Sequence, residues 1–93
     1  MKKKSLYKIR AELDNLDELL LNIIKKRTSL VDQVLKVKRF KKDIVDKKRI
    51  KIILNRIKKE SIKRKIDTKL TERIWINMIR SYIDYEFRKF KKK

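Results

Sequence analysis

The sequence predicts an all-α protein with three helices per chain, one long and two shorter. Gly and Pro are both absent, which removes most tight hairpin turns. Apolar residues recur three and four positions apart along most of the chain, which is the spacing of one helix face. Because 93 residues can fill only one hydrophobic core, we expect a single domain over residues 1–93.

The first helix carries the longest apolar seam. With no helix breaker between Ser5 and about Phe40, it is expected to run about 36 residues, on the order of 54 Å. A compact monomer of this size has a radius of gyration of only about 12 Å, so we expect this helix to pack against a second chain in an isologous dimer. The seam consists of Leu6, Ile9, Leu13, Leu16, Leu20, Ile23, Arg27, Leu30, Val34 and Val37.

Two shorter helices are expected after a short polar loop at residues 41–45. Asp46 is placed to cap the second helix, and Asp67 or Thr68 the third, because their side-chain oxygens can accept the first free backbone N–H groups. Periodicity fades in the basic stretch 58–65. The predicted apolar positions are Ile50, Ile53, Leu54 and Ile57 on the second helix, and Leu70, Ile74, Trp75, Met78, Ile79, Tyr82 and Tyr85 on the third.

Composition excludes several classes of function. The absence of Cys and His removes thiolate nucleophiles, disulfides and the commonest metal ligand, so neither a metal nor a cofactor is expected. No apolar run approaches the roughly 18 residues of a membrane span, and Lys2–Lys4 precede no signal-peptide core, so we expect a cytoplasmic protein without membrane contact. Thirty-one Lys and Arg against 12 acidic residues give a net charge of +19, which attracts anions.

Several charged residues occupy positions where a core is expected. Arg27 interrupts the first apolar seam, and a lone buried guanidinium is unfavourable unless it finds an anion. At about 100° per residue, Lys38 returns to within roughly 20° of the same face. Arg10 lies at a different azimuth, so it could serve the site of a partner chain. Arg49 begins the second helix, where backbone N–H groups favour an anion, and Glu86 falls on the apolar stripe of the third.

This constellation resembles the all-helical class of chorismate mutases over nearly the whole chain. The family opens with L-R-x-x-I-D-x-I-D, which residues 9–17 resemble, and continues with the eight-position motif L-L-x-L-L-x-x-R, matched within residues 19–27 and ending at Arg27. Lys38 matches the family's Lys eleven positions later. The D-x-x-R opening of the family's second helix is found at residues 46–49, and the I-W/F-x-x-I-I segment of its third helix resembles residues 74–79.

The resemblance implies three helices per chain in an intertwined homodimer that rearranges chorismate to prephenate, on the route to phenylalanine and tyrosine. By this resemblance Arg10 is donated to the substrate of the partner chain and Arg27 binds a substrate carboxylate. Lys38 reaches the ether oxygen, and Arg49 with Asp46 shapes the carboxylate pocket. No cofactor is implied.

Three positions depart from the family pattern. Glu86 stands where many members have a Gln that faces the ether oxygen, and Tyr82 stands where Ser or Thr is common. Ile50 follows Arg49, where the family usually has a Glu that bonds the substrate hydroxyl. Because an ionised carboxylate at Glu86 repels the charge that develops on the ether oxygen, we expect activity to favour acidic pH.

Other classes of function remain open from the sequence. A small basic helical nucleic-acid binder is supported by the net charge and by residues 58–65, although aromatic residues at core spacing favour the enzyme, and nucleic acid is not expected as a partner. A structural coiled coil or a membrane-surface peptide explains the apolar seam but not Arg27 or Glu86. Within the same fold, an isochorismate pyruvate lyase uses a similar cationic pocket.

Overall fold

The computed structural model describes residues 5–91, and this range contains three α-helices and no strand. The helices are α1 (Leu6–Val37), α2 (Lys47–Lys63) and α3 (Thr68–Lys89), and a 3₁₀ turn, Lys41–Asp43, lies between α1 and α2. The all-α class and the three helices are confirmed. Lys2–Lys4 lie outside the described residues. Within the described range, no helix has the length and apolar character needed to cross a membrane.

Contacts divide the chain into two compact units, residues 1–33 and residues 34–93. The boundary falls inside α1, so most of this helix forms the first unit by itself. The second unit contains the last residues of α1, the connection to α2, and the α2–α3 pair. A single domain over the whole chain stays a prediction.

The long helix α1 has 32 residues, about four fewer than predicted. Its first turn is capped by the Ser5 hydroxyl, which accepts a hydrogen bond from the Lys8 N–H at 3.2 Å. It ends before Phe40 because the backbone there is extended and the Phe40 N–H donates to the Asp43 carboxylate at 3.3 Å. That local bond competes with continuation of the helix. The apolar seam residues of the first unit are exposed, with Leu13 at 54%, whereas Arg27 is half-buried.

The connection between α1 and α2 was predicted as a short polar loop, and this is wrong for Ile44. Ile44 is only 3% exposed, one of the two buried hydrophobic residues within the described range, with Leu35. The 3₁₀ turn produces this burial, since the Ile44 N–H donates to the Lys41 carbonyl and the Asp43 N–H to the Phe40 carbonyl. The segment is therefore an ordered turn with one apolar anchor.

Both predicted aspartate caps are confirmed. The Asp46 carboxylate accepts from the Arg49 N–H at 3.0 Å, and the Asp67 carboxylate accepts from the Leu70 N–H at 2.9 Å. Thr68, the alternative cap, is instead the first residue of α3. Each cap satisfies one of the backbone N–H groups that the first turn of a helix leaves unpaired.

The turn between α2 and α3 has a left-handed residue at a position where Gly is usual. Lys65 has φ 56°, the Ile66 N–H donates to the Ser61 carbonyl, and the Lys65 N–H donates to the Ile62 carbonyl. These two bonds are those of a Schellman motif. A β-carbon in this conformation is unfavourable, so the turn stores strain that the packing of α2 on α3 offsets.

Helices α2 and α3 pack against each other through the predicted apolar faces and one hydroxyl pair. Ser61 and Thr71 are buried, and their hydroxyl oxygens lie 2.7 Å apart. The helix thus continues through most of the basic stretch 58–65 because its inward position there is a hydrogen-bonded serine. Two predicted core residues of α3 are exposed: Leu70 at 55% and Ile74 at 48%.

Candidate active site

In the second unit, two of the charged residues that the sequence places at core positions form an ion pair. The Lys38 ammonium lies 3.2 Å from Glu86 Oε1, and the two side chains are 19% and 10% exposed. Lys38 directly follows α1, whereas Glu86 lies in the last turns of α3. The ammonium also donates to the Ile44 carbonyl at 3.4 Å. The buried Ile44 and the inward face of α3 thus hold a cation and a carboxylate together in a largely water-excluded position.

A second charged group lies at the amino end of α2. Asp46 is the cap, and Arg49 is the third residue of the helix. The carboxylate is engaged by the Arg49 backbone N–H, while the Arg49 side chain is exposed. A helix amino terminus has a partial positive charge, and the guanidinium adds a full one. This end of α2 therefore favours an anion that approaches from solvent.

An open cleft of about 780 Å³ runs along the connection between these groups. Lys38 and Asp46 both line it, so it joins the ion pair to the amino end of α2. Five of its lining residues are cations and two are carboxylates, which gives it a positive potential. The full lining is Val37, Lys38, Arg39, Phe40, Lys42, Asp43, Val45, Asp46, Lys47 and Lys48.

The remaining predicted site residues are divided between the units. Arg10 and Arg27 belong to the first unit, where Arg10 is exposed and Arg27 is half-buried and takes part in an interaction. Tyr82 is half-buried in the second unit, and its ring meets that of Tyr85 edge to face at a centroid distance of 6.3 Å. Ile50 is half-buried at the start of α2.

Sequence reasoning missed four cations of the cleft, namely Arg39, Lys42, Lys47 and Lys48. Being Lys or Arg did not distinguish these residues, because the chain has 31 Lys and Arg and these four interrupt no apolar pattern. Their position beside Lys38 and Asp46 was the only available indication. Within residues 5–91, no three acidic side chains lie close enough together to hold a metal ion.

Comparison with known protein families identifies the family of this chain. A family model described as chorismate mutase type II matches residues 9–87 of the 93-residue chain. The chain belongs to the chorismate mutase type II family. The match covers all three helices except their outermost residues, so the resemblance inferred from the sequence motifs is confirmed. The comparison with curated proteins and the comparison with solved structures each found no match.

Family membership assigns the chain its reaction class. The protein is an isomerase, a chorismate mutase, and its all-helical fold is that of the family. Chorismate is the substrate that the family implies. An anionic substrate is compatible with a cleft in which cations outnumber carboxylates.

Proposed function

We propose that this chain rearranges chorismate to prephenate by electrostatic preorganisation with Arg and Lys. In this intramolecular reaction the ether C–O bond breaks as a new C–C bond forms, and no atom or proton is gained or lost. Catalysis therefore needs a compact substrate conformer and cations where negative charge develops on the ether oxygen. The observation that carries the proposal is the Lys38 ammonium held at 3.2 Å from Glu86 in a position largely shielded from water.

Lys38 has the donor capacity for this role. An ammonium group has three N–H donors. The Ile44 carbonyl and the Glu86 carboxylate account for two of them, which leaves a third for the ether oxygen or a substrate carboxylate. A fixed cation of low exposure stabilises developing charge more strongly than one surrounded by water.

Glu86 has two opposing effects on this site. When it is ionised, it holds Lys38 in place but also repels the charge that develops on the ether oxygen. When it is protonated, it can donate a hydrogen bond instead. Lys38 is the charged group that faces it from the α1 side, and its ammonium offsets part of the repulsion. We therefore expect Glu86→Gln, which replaces the charge with a neutral amide of the same shape, to increase turnover.

The arginines would bind the two carboxylates of chorismate. Arg27 takes one of them, and Arg49 with Asp46 shapes the pocket for the other. The position of Arg49 in the first turn of α2 supports this role, because the helix amino end adds its own attraction for an anion. Tyr82, whose ring meets that of Tyr85 edge to face, is assigned a part in substrate binding by the same proposal.

A homodimer that intertwines the long helices is part of the proposal. Its support is the apolar seam of α1, whose leucines and isoleucines are about half exposed in a single chain, from Ile9 at 41% to Leu30 at 60%. Burying each such side chain contributes roughly 1 kcal/mol, and a seam of this length sums to a stable association. In this dimer Arg10 is donated to the site of the partner chain. Light scattering tests the assembly, and a stable monomer would contradict it.

The product of the reaction tests the chemistry. Purified protein is incubated with chorismate and, separately, with isochorismate, and the products are separated by chromatography. Prephenate from chorismate is the expected result. Release of pyruvate from isochorismate, without prephenate, would instead identify a lyase that uses the same cationic pocket. A cytoplasmic location and a place in phenylalanine and tyrosine synthesis accompany the proposal.

A further inference from the structure

The net positive charge is concentrated on α2. Its 17 residues include eight Lys and Arg and one acidic residue, Glu60. In contrast, the 32 residues of α1 carry six cations and five carboxylates. The eight cations of α2 are Lys47, Lys48, Arg49, Lys51, Arg56, Lys58, Lys59 and Lys63.

These cations share the outward surface of the helix. At 100° per residue, the inward side of α2 is centred on the half-buried Leu54 and Ile57 and on Ser61, whose hydroxyl pairs with Thr71 of α3. On one flank of this side, over an arc of about 160°, lies a face with cations and no carboxylate, about 25 Å long at 1.5 Å per residue. We call it the cationic face of α2, and it consists of the exposed residues Lys47, Lys48, Lys51, Ile52, Asn55, Lys58, Lys59, Ile62 and Lys63.

The one carboxylate of α2 does not neutralise this face. Glu60 lies at its edge, where Arg64 Nη1 donates to it at 2.7 Å and Lys63 pairs with it at 3.4 Å. The Arg64 hydrogen bond, followed by that of Lys63, lowers the pKa of Glu60 below its usual value. Glu60 is therefore ionised and fully engaged at neutral pH, which leaves the remaining lysines of the face to attract an external polyanion.

We propose that the cationic face of α2 binds the phosphate backbone of duplex nucleic acid without reading its sequence. The lysines of this face are complementary in charge to the regularly spaced phosphates of a duplex. The face has no aromatic side chain for stacking on single-stranded bases, which favours a duplex. Nucleic acid was not expected as a partner because the aromatic residues have core spacing, but the helix bounds show that the net positive charge is concentrated on α2, which has no aromatic residue.

Two other kinds of polyanion fit this face less well. A lipid surface requires an apolar helix side that can enter the bilayer, and the apolar side of α2 is occupied by α3. The two exposed isoleucines of the face, Ile52 and Ile62, are ten residues apart and form no continuous patch. An acidic protein is disfavoured because lysines are depleted from the centres of protein interfaces.

The proposal predicts a steep dependence of binding on salt. If four to six phosphates are neutralised, the logarithm of the association constant falls with the logarithm of salt concentration with a slope of about −4 to −5. Each lysine removed from the face makes this slope shallower by about 0.9. Replacement of three lysines therefore weakens binding by on the order of 100-fold at 0.1 M salt.

Two triple variants test which surface is responsible. The face variant carries Lys51→Gln, Lys58→Gln and Lys59→Gln, and none of these residues lies in the proposed active site. The matched control removes three cations that share a stripe of α3, by Lys69→Gln, Arg73→Gln and Arg80→Gln. Fluorescence anisotropy with a 20-base-pair DNA duplex of random sequence is recorded at several salt concentrations. Circular dichroism verifies that both variants are folded, and mutase turnover is measured in parallel.

The expected result is a slope reduced by about 3 in the face variant and nearly unchanged in the control. Equal losses in both variants would overturn the proposal, because they would indicate general attraction to a polycation. Absence of duplex binding by the unaltered protein at 0.1 M salt would also overturn it. Binding to phosphatidylserine vesicles or to polyglutamate in preference to the duplex would assign the face to a lipid or to an acidic protein. The mutase turnover of the face variant is a separate measurement and does not depend on which of these binding results is obtained.

Discussion

The ion pair between Lys38 and Glu86 can be measured by replacing each partner alone and both together. Lys38→Met keeps most of the side-chain volume and removes the charge. Glu86→Gln keeps the shape and one oxygen acceptor. The double variant completes a thermodynamic cycle that isolates the interaction of the two side chains from their separate contributions to stability.

The expected energies follow from the distance and the exposure. At an effective dielectric constant of about 20, opposite charges 3.2 Å apart attract by roughly 5 kcal/mol before desolvation is subtracted. Removing one member of a fully buried pair costs about 3–5 kcal/mol. Because the Lys38 side chain keeps 19% of its exposure, water moderates this loss. We expect the free energy of unfolding to fall by about 2 kcal/mol in Lys38→Met and by about 1 kcal/mol in Glu86→Gln. The expected coupling energy between the two side chains is about 1 kcal/mol.

Urea unfolding monitored by circular dichroism at pH 7 provides the assay. All four proteins are compared at one protein concentration, since the stability of a dimer depends on concentration. The free energies are extrapolated linearly to water. A coupling energy below about 0.5 kcal/mol, which is the scatter of independent sites, would refute the pair as a specific interaction. Equal effects of the two single variants would contradict the inference that Glu86 is the more deeply buried partner.

Three further results are expected. Glu86→Gln removes the repulsion of the charge that develops on the ether oxygen and should raise turnover of chorismate at neutral pH, and unchanged turnover would remove Glu86 from the site. Leu20→Asp introduces a charge into the α1 seam and should convert a dimer to monomers in light scattering, whereas an intact dimer would place the interface elsewhere. Lys65→Gly should raise the unfolding temperature by about 2–4 °C because Gly adopts positive φ without strain, and a lower temperature would show that the Lys65 side chain stabilises the turn.

Features of the fold that depend on neighbouring residues were predictable from the sequence. Asp46 and Asp67 cap their helices as expected, because an N-cap needs only a short side chain and the next three backbone N–H groups. The turn at Lys65 was not predictable, since its left-handed conformation usually requires Gly and the chain has none. Packing of α2 on α3 imposes it.

Burial was harder to predict than helix position. Ile44 lies in a segment with three charged neighbours, and nothing in its spacing distinguishes it from a solvated residue. Its 3% exposure results from the 3₁₀ turn that folds it inward. Leu70 and Ile74 have core spacing but are exposed in the single chain. Periodicity identifies the apolar side of a helix, whereas the extent of its coverage depends on the elements that pack there.

The candidate site was partly predictable for a different reason. Glu86 was conspicuous because it is a carboxylate at an apolar position, and Lys38 because it follows Arg27 on the same helical face. Their contact spans 48 residues of sequence and was not evident from either position alone. The other cations of the cleft were hidden among the 31 Lys and Arg of the chain.

The most direct test of the central claim is the rate of prephenate formation from chorismate by the unaltered protein, by Arg27→Ala and by Lys26→Ala. Lys26 is the matched control, an exposed cation beside Arg27 on the same helix. Binding and positioning of a substrate carboxylate by Arg27 predicts a loss of about 100- to 1,000-fold for Arg27→Ala and little change for Lys26→Ala. Equal turnover by all three proteins, or no prephenate from the unaltered protein at any pH between about 4 and 9, would contradict the account.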